Sequence, residues 1–173
     1  MSEWWKVLGE PQGAWIDPSG IYRHLLWRSW PIDAPPLVFG LLNPSKADGE
    51  RNDPTVRRLL GFAMREGAGG IVLVNASPFR ATSPGDLTRN REAGVDVLDE
   101  ARNEAALERA RTFGPFILGW GSSIPPWMDR AARIMRQAGG PGLRCFGVTK
   151  MGEPRHPLYL PKTTPLEPFP RLP

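Results

Sequence analysis

Residues 70–82 read GIVLVNASPFRAT, an apolar run that stops at Asn75 and leaves through Ser77-Pro78 to Arg80. A half-exposed strand alternates polar and apolar residues. This one does not, so both of its faces are buried, as in a parallel sheet covered by helices. FGLLNPSKAD (39–48) and FILGWGSS (116–123) have the same form. In open α/β sheets ligands collect in the crevice beyond the carboxyl ends of the strands. The three runs therefore deliver Asn43, Asn75 and Ser122 to one crevice, and the late loop PRHPLYLP (154–161) adds His156.

Outward from these strands the chain alternates. Residues 13–30 read as a hairpin about the turn Asp17-Pro18-Ser19-Gly20, and 37–42 is a strand after Pro35-Pro36. Asp53 caps a helix opened by Pro54, with Val56, Leu59, Leu60 and Ala63 at helical spacing and Gly67 to Gly70 ending it. A short turn at 84–87 and a long mixed-charge helix over about 90–111 precede the strand at 116–118. Ser122 or Ser123 caps a further helix that starts at Pro125 or Pro126 and runs to Gln137, and 143–147 is the last strand. This order predicts one domain over 1–173, with a core at 13–160 and a C-terminal strap at 161–173. Its fold class is α/β: a three-layer α/β/α sandwich with a mostly parallel central sheet, preceded by an N-terminal β-hairpin.

Composition narrows the chemistry. The 173 residues carry 22 Lys and Arg against 18 Asp and Glu, a net charge of +4 that permits an acidic partner without requiring one. The single Cys145 excludes a disulfide framework and a multi-cysteine metal site, and two histidines argue against a His-rich centre. No metal and no cofactor are expected. There is no phosphate-binding GxxxxGK[ST] loop, no GxSxG elbow, and only a fragment of GxGxxG at Gly119-Trp120-Gly121. No run reaches membrane-spanning length and no signal peptide is visible, so the expectation is a soluble cytoplasmic protein. Trp4 and Trp5 either pack on the fold or mark an interface.

Each candidate residue has an ordinary structural reading beside the chemical one. Asn43-Pro44-Ser45 is a strand-exit turn or a ligand contact, and Asn75 caps its strand or pairs with a base edge. His156 lies on the surface or stabilises a developing anion. Ser122 is a helix cap or a phosphate contact, and Trp120 fills the core or stacks on a base. Asp53 reads as a cap, whereas Asp48, close behind the Asn43 turn, has no capping task visible in sequence. Arg51, Arg57, Arg58, Arg65, Arg80, Arg89 and Arg91 are either solvated helix surface or a phosphate-gripping rim; Arg80 favours the rim, Arg65 and Arg91 the surface.

Taken in order, the four motifs resemble those of the uracil-DNA glycosylase superfamily over about residues 37–160. LLNPSKA resembles its first motif, VLVNASPFRA the strand whose terminal Asn reads uracil, ILGWGSS the LLWGS strand, and His156-Pro157 the late HPSP motif. The chain is also similar to an uncharacterised bacterial family with LNPS, DPT, RAT and HPLY signatures. The glycosylase resemblance implies a uracil-DNA glycosylase-like fold that hydrolyses the N-glycosidic bond of a modified or deaminated base in nucleic acid without a metal. Catalysis would rest on Asn43, which positions the attacking water, and on His156, which stabilises the departing base; Asp48, singled out by its place behind the Asn43 turn and not by the resemblance, is a third catalytic candidate. Substrate would be bound by Pro44, Ser45, Phe62 stacked on the extruded base, Asn75, Arg80, Trp120 and Ser122. Asn43 stands where the most active branch has Asp, and Ser45 where the branch that excludes thymine has Tyr. HPLY replaces HPSP, and the stretch 48–53 matches no glycosylase motif. Two rival readings remain open: a hydrolase or transferase acting on a free nucleoside or nucleotide, which Asp48 and Glu50 would suit, and a non-catalytic nucleic-acid-binding module.

Overall fold

The computed structural model describes residues 4–122 and 124–170. A seven-stranded sheet runs in the order β1-β2-β4-β3-β5-β6-β7, where the strands are β1 (Gln12–Ile16), β2 (Arg23–Ser29), β3 (Leu37–Leu41), β4 (Gly70–Asn75), β5 (Phe116–Leu118), β6 (Arg144–Cys145) and β7 (Glu167–Pro168). The four middle strands are parallel, and both margins are antiparallel. The sheet is thus mixed, with a parallel heart, rather than mostly parallel. The N-terminal hairpin is present, but β2 pairs directly with β4 and so joins the sheet instead of preceding it. At the other margin the strap contributes β7, a pairing that its Pro-rich sequence does not announce.

Helices cover both faces, which accounts for strands without alternation. On one face α1 (Pro54–Arg65) sets Val56, Leu59, Phe62 and Ala63 against Leu26, Phe39, Leu41, Ile71, Leu73 and Ile117. On the other, α3 (Glu100–Ala110) and α4 (Asp129–Gly139) set Leu107, Ala110, Ala132 and Met135 against Leu25, Trp27, Val38, Val72, Val74, Phe116 and Leu118. Neighbouring strand residues such as Val72 and Leu73 enter opposite layers, as the two-residue period requires. Trp4 packs edge-on to Phe113 at 5.6 Å and donates from Nε1 to the Gly69 carbonyl, so it belongs to the fold.

Two local expectations change. The long helix at 90–111 is two helices, α2 (Pro84–Glu92) and α3, parted at Gly94, whose φ of 84° no ordinary helix residue adopts. The turn at 84–87 is the start of α2, fixed by a reciprocal capping box between Ser83 and Asp86. Before α4 lies a single 3₁₀ turn, Pro126–Met128, without a side-chain cap; Ser122 caps no helix, and Ser123 lies outside the described residues. Among the described residues no helix is long and apolar enough to cross a membrane.

The topology sets the site. From β3 the chain crosses by α1 to β4 on one side, then by α2 and α3 to β5 on the other. The carboxyl end of β3 is therefore the switch point, where such sheets leave a crevice. Over this end lies the loop 154–158, which reaches it because β5 exits through glycines: a Cβ on Gly119 would stand 2.8 Å from Pro157 Cδ and 3.3 Å from Leu41 Cδ2. Gly119→Ala should cost about 1–3 kcal/mol, the usual penalty of overpacking. Urea denaturation measures it, and an unchanged midpoint would show that the loop does not rest on β5.

Candidate functional site

A cavity of about 570 Å³ opens at the switch point. Its wall is made by the ends of separate segments: Asn43 and Ser45 after β3, Asp53 to Thr55 at the start of α1, and Ala81 and Thr82 after β4. The exit of β5 contributes Trp120, Gly121 and Ser122, and the late loop contributes Arg155, His156 and Leu158 to Leu160. The LNPS, DPT, RAT and HPLY segments, scattered over more than a hundred residues of chain, meet in this one place.

Asn43 is held in one orientation. Its Nδ2 donates to the carbonyls of Pro44 at 3.1 Å and Ala81 at 2.8 Å. Two carbonyls accept from nitrogen only, so the amide oxygen is turned away from them, and no protein group among the described residues donates to it. A half-buried carboxamide oxygen on a cavity wall is an acceptor for a water or for a ligand N–H.

His156 is oriented from the opposite wall. Its Nδ1 accepts from the Leu158 backbone N–H at 3.3 Å, which puts the proton of the neutral ring on Nε2. Burial pushes its pKa below the ordinary 6.5, and the Asp53 carboxylate offsets part of that shift. At neutral pH the ring is an uncharged Nε2–H donor. Tyr159 lies 5.8 Å from it, ring centre to ring centre, and is 81 % exposed at the cavity rim.

Asp53 does two jobs. Oδ1 accepts from Val56 N at 2.8 Å and caps α1, as the Asp-Pro-Thr spacing implies. The residue also lines the cavity, and its charge acts on both His156 and the buried Arg23. An N-cap engages one carboxylate oxygen; the second is left for other work.

Other candidates fall elsewhere. Asp48 is outside the cavity lining: its Oδ1 accepts from the N–H groups of Glu50 and Arg51 at 2.9 and 2.8 Å, a turn task that also lowers its pKa. Asn75 is 3 % exposed and stays behind the wall, where its Oδ1 accepts from Arg23 Nη2 at 3.3 Å and its Nδ2 has no partner among the described residues. Phe62 is buried against Phe146 at 4.3 Å and faces the helix-α1 core, not the cavity. Trp120 edges the cavity but is 2 % exposed and donates to Glu153 Oε2 at 2.6 Å, so it offers no stacking face. Pro44 is buried beneath its neighbours, and Arg80 lines an adjoining groove with one N–H on the Gly20 carbonyl. Ser45, Ser122, Asn43 and His156 do converge.

The stretch 47–52 is anchored by two buried arginines of β2. Arg23 Nη1 donates to the Ala47 carbonyl at 3.0 Å. Arg28 donates to the Asp48 carbonyl at 2.7 Å and to Asn52 Oδ1 at 3.0 Å. Burial brings the Arg23 guanidinium down to about 10, still charged at neutral pH. Sequence reading missed Asp53 as a cavity group because its capping role explained it completely; the Pro-flanked loop just before the helix was the available signal.

These features define an α/β protein with a polar cleft at the topological switch of its sheet. The chain belongs to the family described as "Protein of unknown function (DUF1643)", whose model matches residues 23–158. No curated protein and no solved structure matches it.

Because the folded pKa of His156 lies below its unfolded value, the unfolded chain holds more protons in the window between the two. The stability this group contributes is complete above 6.5 and is lost as the pH falls through that window. Protonating Nδ1 also removes the acceptor of the Leu158 N–H. An NMR titration of the His156 ring should give a midpoint below 6.5, shifted further down in Asp53→Asn. A midpoint above 6.5, or an upward shift in the variant, would contradict the arrangement.

Proposed function

We propose that this protein hydrolyses the N-glycosidic bond of a modified or deaminated nucleobase, on a fold and site of the uracil-DNA glycosylase type. The observation that carries this reading is the meeting of an oriented amide acceptor, a carboxylate and a neutral imidazole donor in one cavity at the switch point. The order of the motifs along the chain supports it. Asp48 and Glu50, the carboxylates that would suit a free nucleotide, lie outside the cavity wall.

The steps follow from the groups present. Water attacks the sugar C1′ as the C1′–N bond breaks, and the bonding pair leaves with the base. Asp53 takes the water proton; Asn43 Oδ1 holds the water or the edge of the base. His156 Nε2–H donates to the base as negative charge develops there, and a neutral donor suits a departing anion that must later be released. A carboxylate base thus stands in the cavity although position 43 carries an amide, which is too weak a base itself. Asn75 being occupied by Arg23, base reading falls to Asn43 and the hydroxyls of Ser45 and Thr82, and stacking to Tyr159. The nucleotide must be extruded to enter, since both C1′ and the base edge are inaccessible in a stacked duplex.

The test is release of free base from oligonucleotides carrying uracil, 5-hydroxymethyluracil, hypoxanthine or xanthine, with the matching nucleosides in parallel. Wild type should form abasic sites. Asn43→Ala, His156→Ala and Asp53→Ser should each lose about 10²-fold or more of the rate, the scale of a lost acid–base group. Serine keeps the helix cap, so Asp53→Ser should unfold within about 0.5 kcal/mol of wild type. Asp48→Asn should retain activity. Full turnover in Asp53→Ser, or no base released from any substrate, would refute the assignment.

A further inference from the structure

Between β4 and α3 the chain makes an excursion whose two ends are pinned. The outgoing end is Ala81: its N–H donates to the Pro44 carbonyl at 3.0 Å, and its own carbonyl accepts from Asn43 Nδ2 at 2.8 Å. The returning end is Asp96-Val97. Tyr22, which pairs with Phe79 in an isolated bridge, donates from its hydroxyl to the Asp96 carbonyl at 2.6 Å. Ser77 Oγ donates to the Val97 carbonyl at the same distance. Residues 82–95, which include α2, are thus the body of a loop closed at its base, a form that often carries function.

This body is stiff in itself and lightly held. The capping box joins Ser83 to Asp86, and Thr82 Oγ1 donates to the same Asp86 carboxylate at 3.1 Å, which makes Thr82 part of the helix unit. Thr82 and Pro84 also line the cavity. Against the core α2 buries one residue, Leu87, where α1 buries four and α3 three. A clasp on Trp127 adds to that hold: the Arg91 guanidinium lies over the indole at 4.9 Å, and Trp127 Nε1 donates to Thr88 Oγ1 at 3.4 Å. Trp127 itself belongs to the 3₁₀ turn anchored by the fully buried Met128. Segments with few buried apolar contacts open at the low end of a protein's stability range. Gly94, with its φ of 84°, ends the helix just before the Asp96 pin and supplies a pivot.

We infer that residues 82–95 are a flap of the cavity: α2 swings as one body between Ala81 and Gly94, carries Thr82 and Pro84 with it, and is held shut by the Arg91–Trp127 clasp. Shut, the flap completes the wall with the Thr82 hydroxyl. Open, it widens the mouth. Because Ala81 stays pinned, the Asn43 amide keeps its orientation in both states. Arg91, which sequence alone assigns to solvated surface, becomes the catch. That the flap closes on a nucleobase rests on the function proposed above; the motion itself does not.

Methyl relaxation dispersion on the ligand-free protein reads the microsecond-to-millisecond motion expected of a lid. Thr82 and Leu87 should exchange with one rate constant, while Thr55, which lines the same cavity from α1, stays quiet. Arg91→Gln takes the cation off the indole and should raise the open population about two- to fivefold, and Arg91→Lys should recover part of the loss. The Asn43 side-chain signals should be the same in all three proteins. Arg91 is exposed, and thermal melting verifies that its variants fold. Different rates at Thr82 and Leu87, no exchange at either, or the same open population in wild type and Arg91→Gln would overturn the inference. Free hypoxanthine, added as a probe, should lower the open population. The two readings fail separately. Joint exchange that answers to Arg91→Gln but not to hypoxanthine supports the flap and counts against a nucleobase as its ligand. Base release by a protein whose Thr82 and Leu87 do not exchange would keep the proposed activity and remove the flap.

Discussion

The site depends on two side chains that are missing. Gly119 and Gly121 let the loop 154–158 lie directly on the exit of β5, where a Cβ on Gly121 would come within 3.2 Å of His156 Cβ. Gly121 also takes a φ of 79°, a left-handed conformation open to glycine at no steric cost, and donates its N–H to the Pro154 carbonyl at 2.8 Å. Between the two glycines Trp120 turns inward and ties down Glu153, which also receives Arg136 at 3.0 Å. The position of the imidazole is therefore set by backbone packing, and a functional group held this way needs no reorganisation when charge develops opposite it.

The facing wall is built by a costlier device. Arg23 and Arg28 are buried with backbone carbonyls and an amide rather than carboxylates as hydrogen-bond partners, and each loses hydration that carbonyls only partly restore. What the fold gains is a fixed course for residues 47–52, the segment that carries the chain from the Asn43 turn to Asp53. The loop thereby presents a carboxylate whose helix-capping bond leaves it only one free oxygen. Structural and chemical roles share one residue, and each constrains the other: the cap orients the group, and the cavity requires that orientation.

How much of this was legible in the sequence depends on the range of the forces involved. The hairpin, the three inner strands and α1 with its Asp53 cap follow from local pattern and turn chemistry, and the structure has them. The split between α2 and α3 was within reach, because Ser83 and Asp86 stand three apart and Gly94 interrupts the helical run. The pairing of β7 with β6 was not, since a two-residue strand beside prolines is made by its neighbour rather than by its own sequence. The same holds at the site. The strand ends and the late loop led to Asn43, Ser122 and His156 at one crevice, and all three line the cavity beside Ser45, which the family resemblance named; Asn75, at an equivalent strand end, is claimed by Arg23 from another element. Asp48 is used up by its own turn. The Asp48 turn is local, bonding only two and three residues on, whereas the claim of Arg23 on Asn75 joins groups 52 residues apart and leaves no local trace.

The most direct test of the account is whether one planar ligand engages both oriented groups. Side-chain NMR of selectively labelled protein would follow the Asn43 amide and the His156 ring nitrogens as free uracil or hypoxanthine is added. The account predicts that both signals shift together with a single dissociation constant, Nε2 of His156 moving more than Nδ1, while the Asn75 amide stays still. A response centred on Asn75, or binding that leaves Asn43 and His156 unmoved, would contradict it.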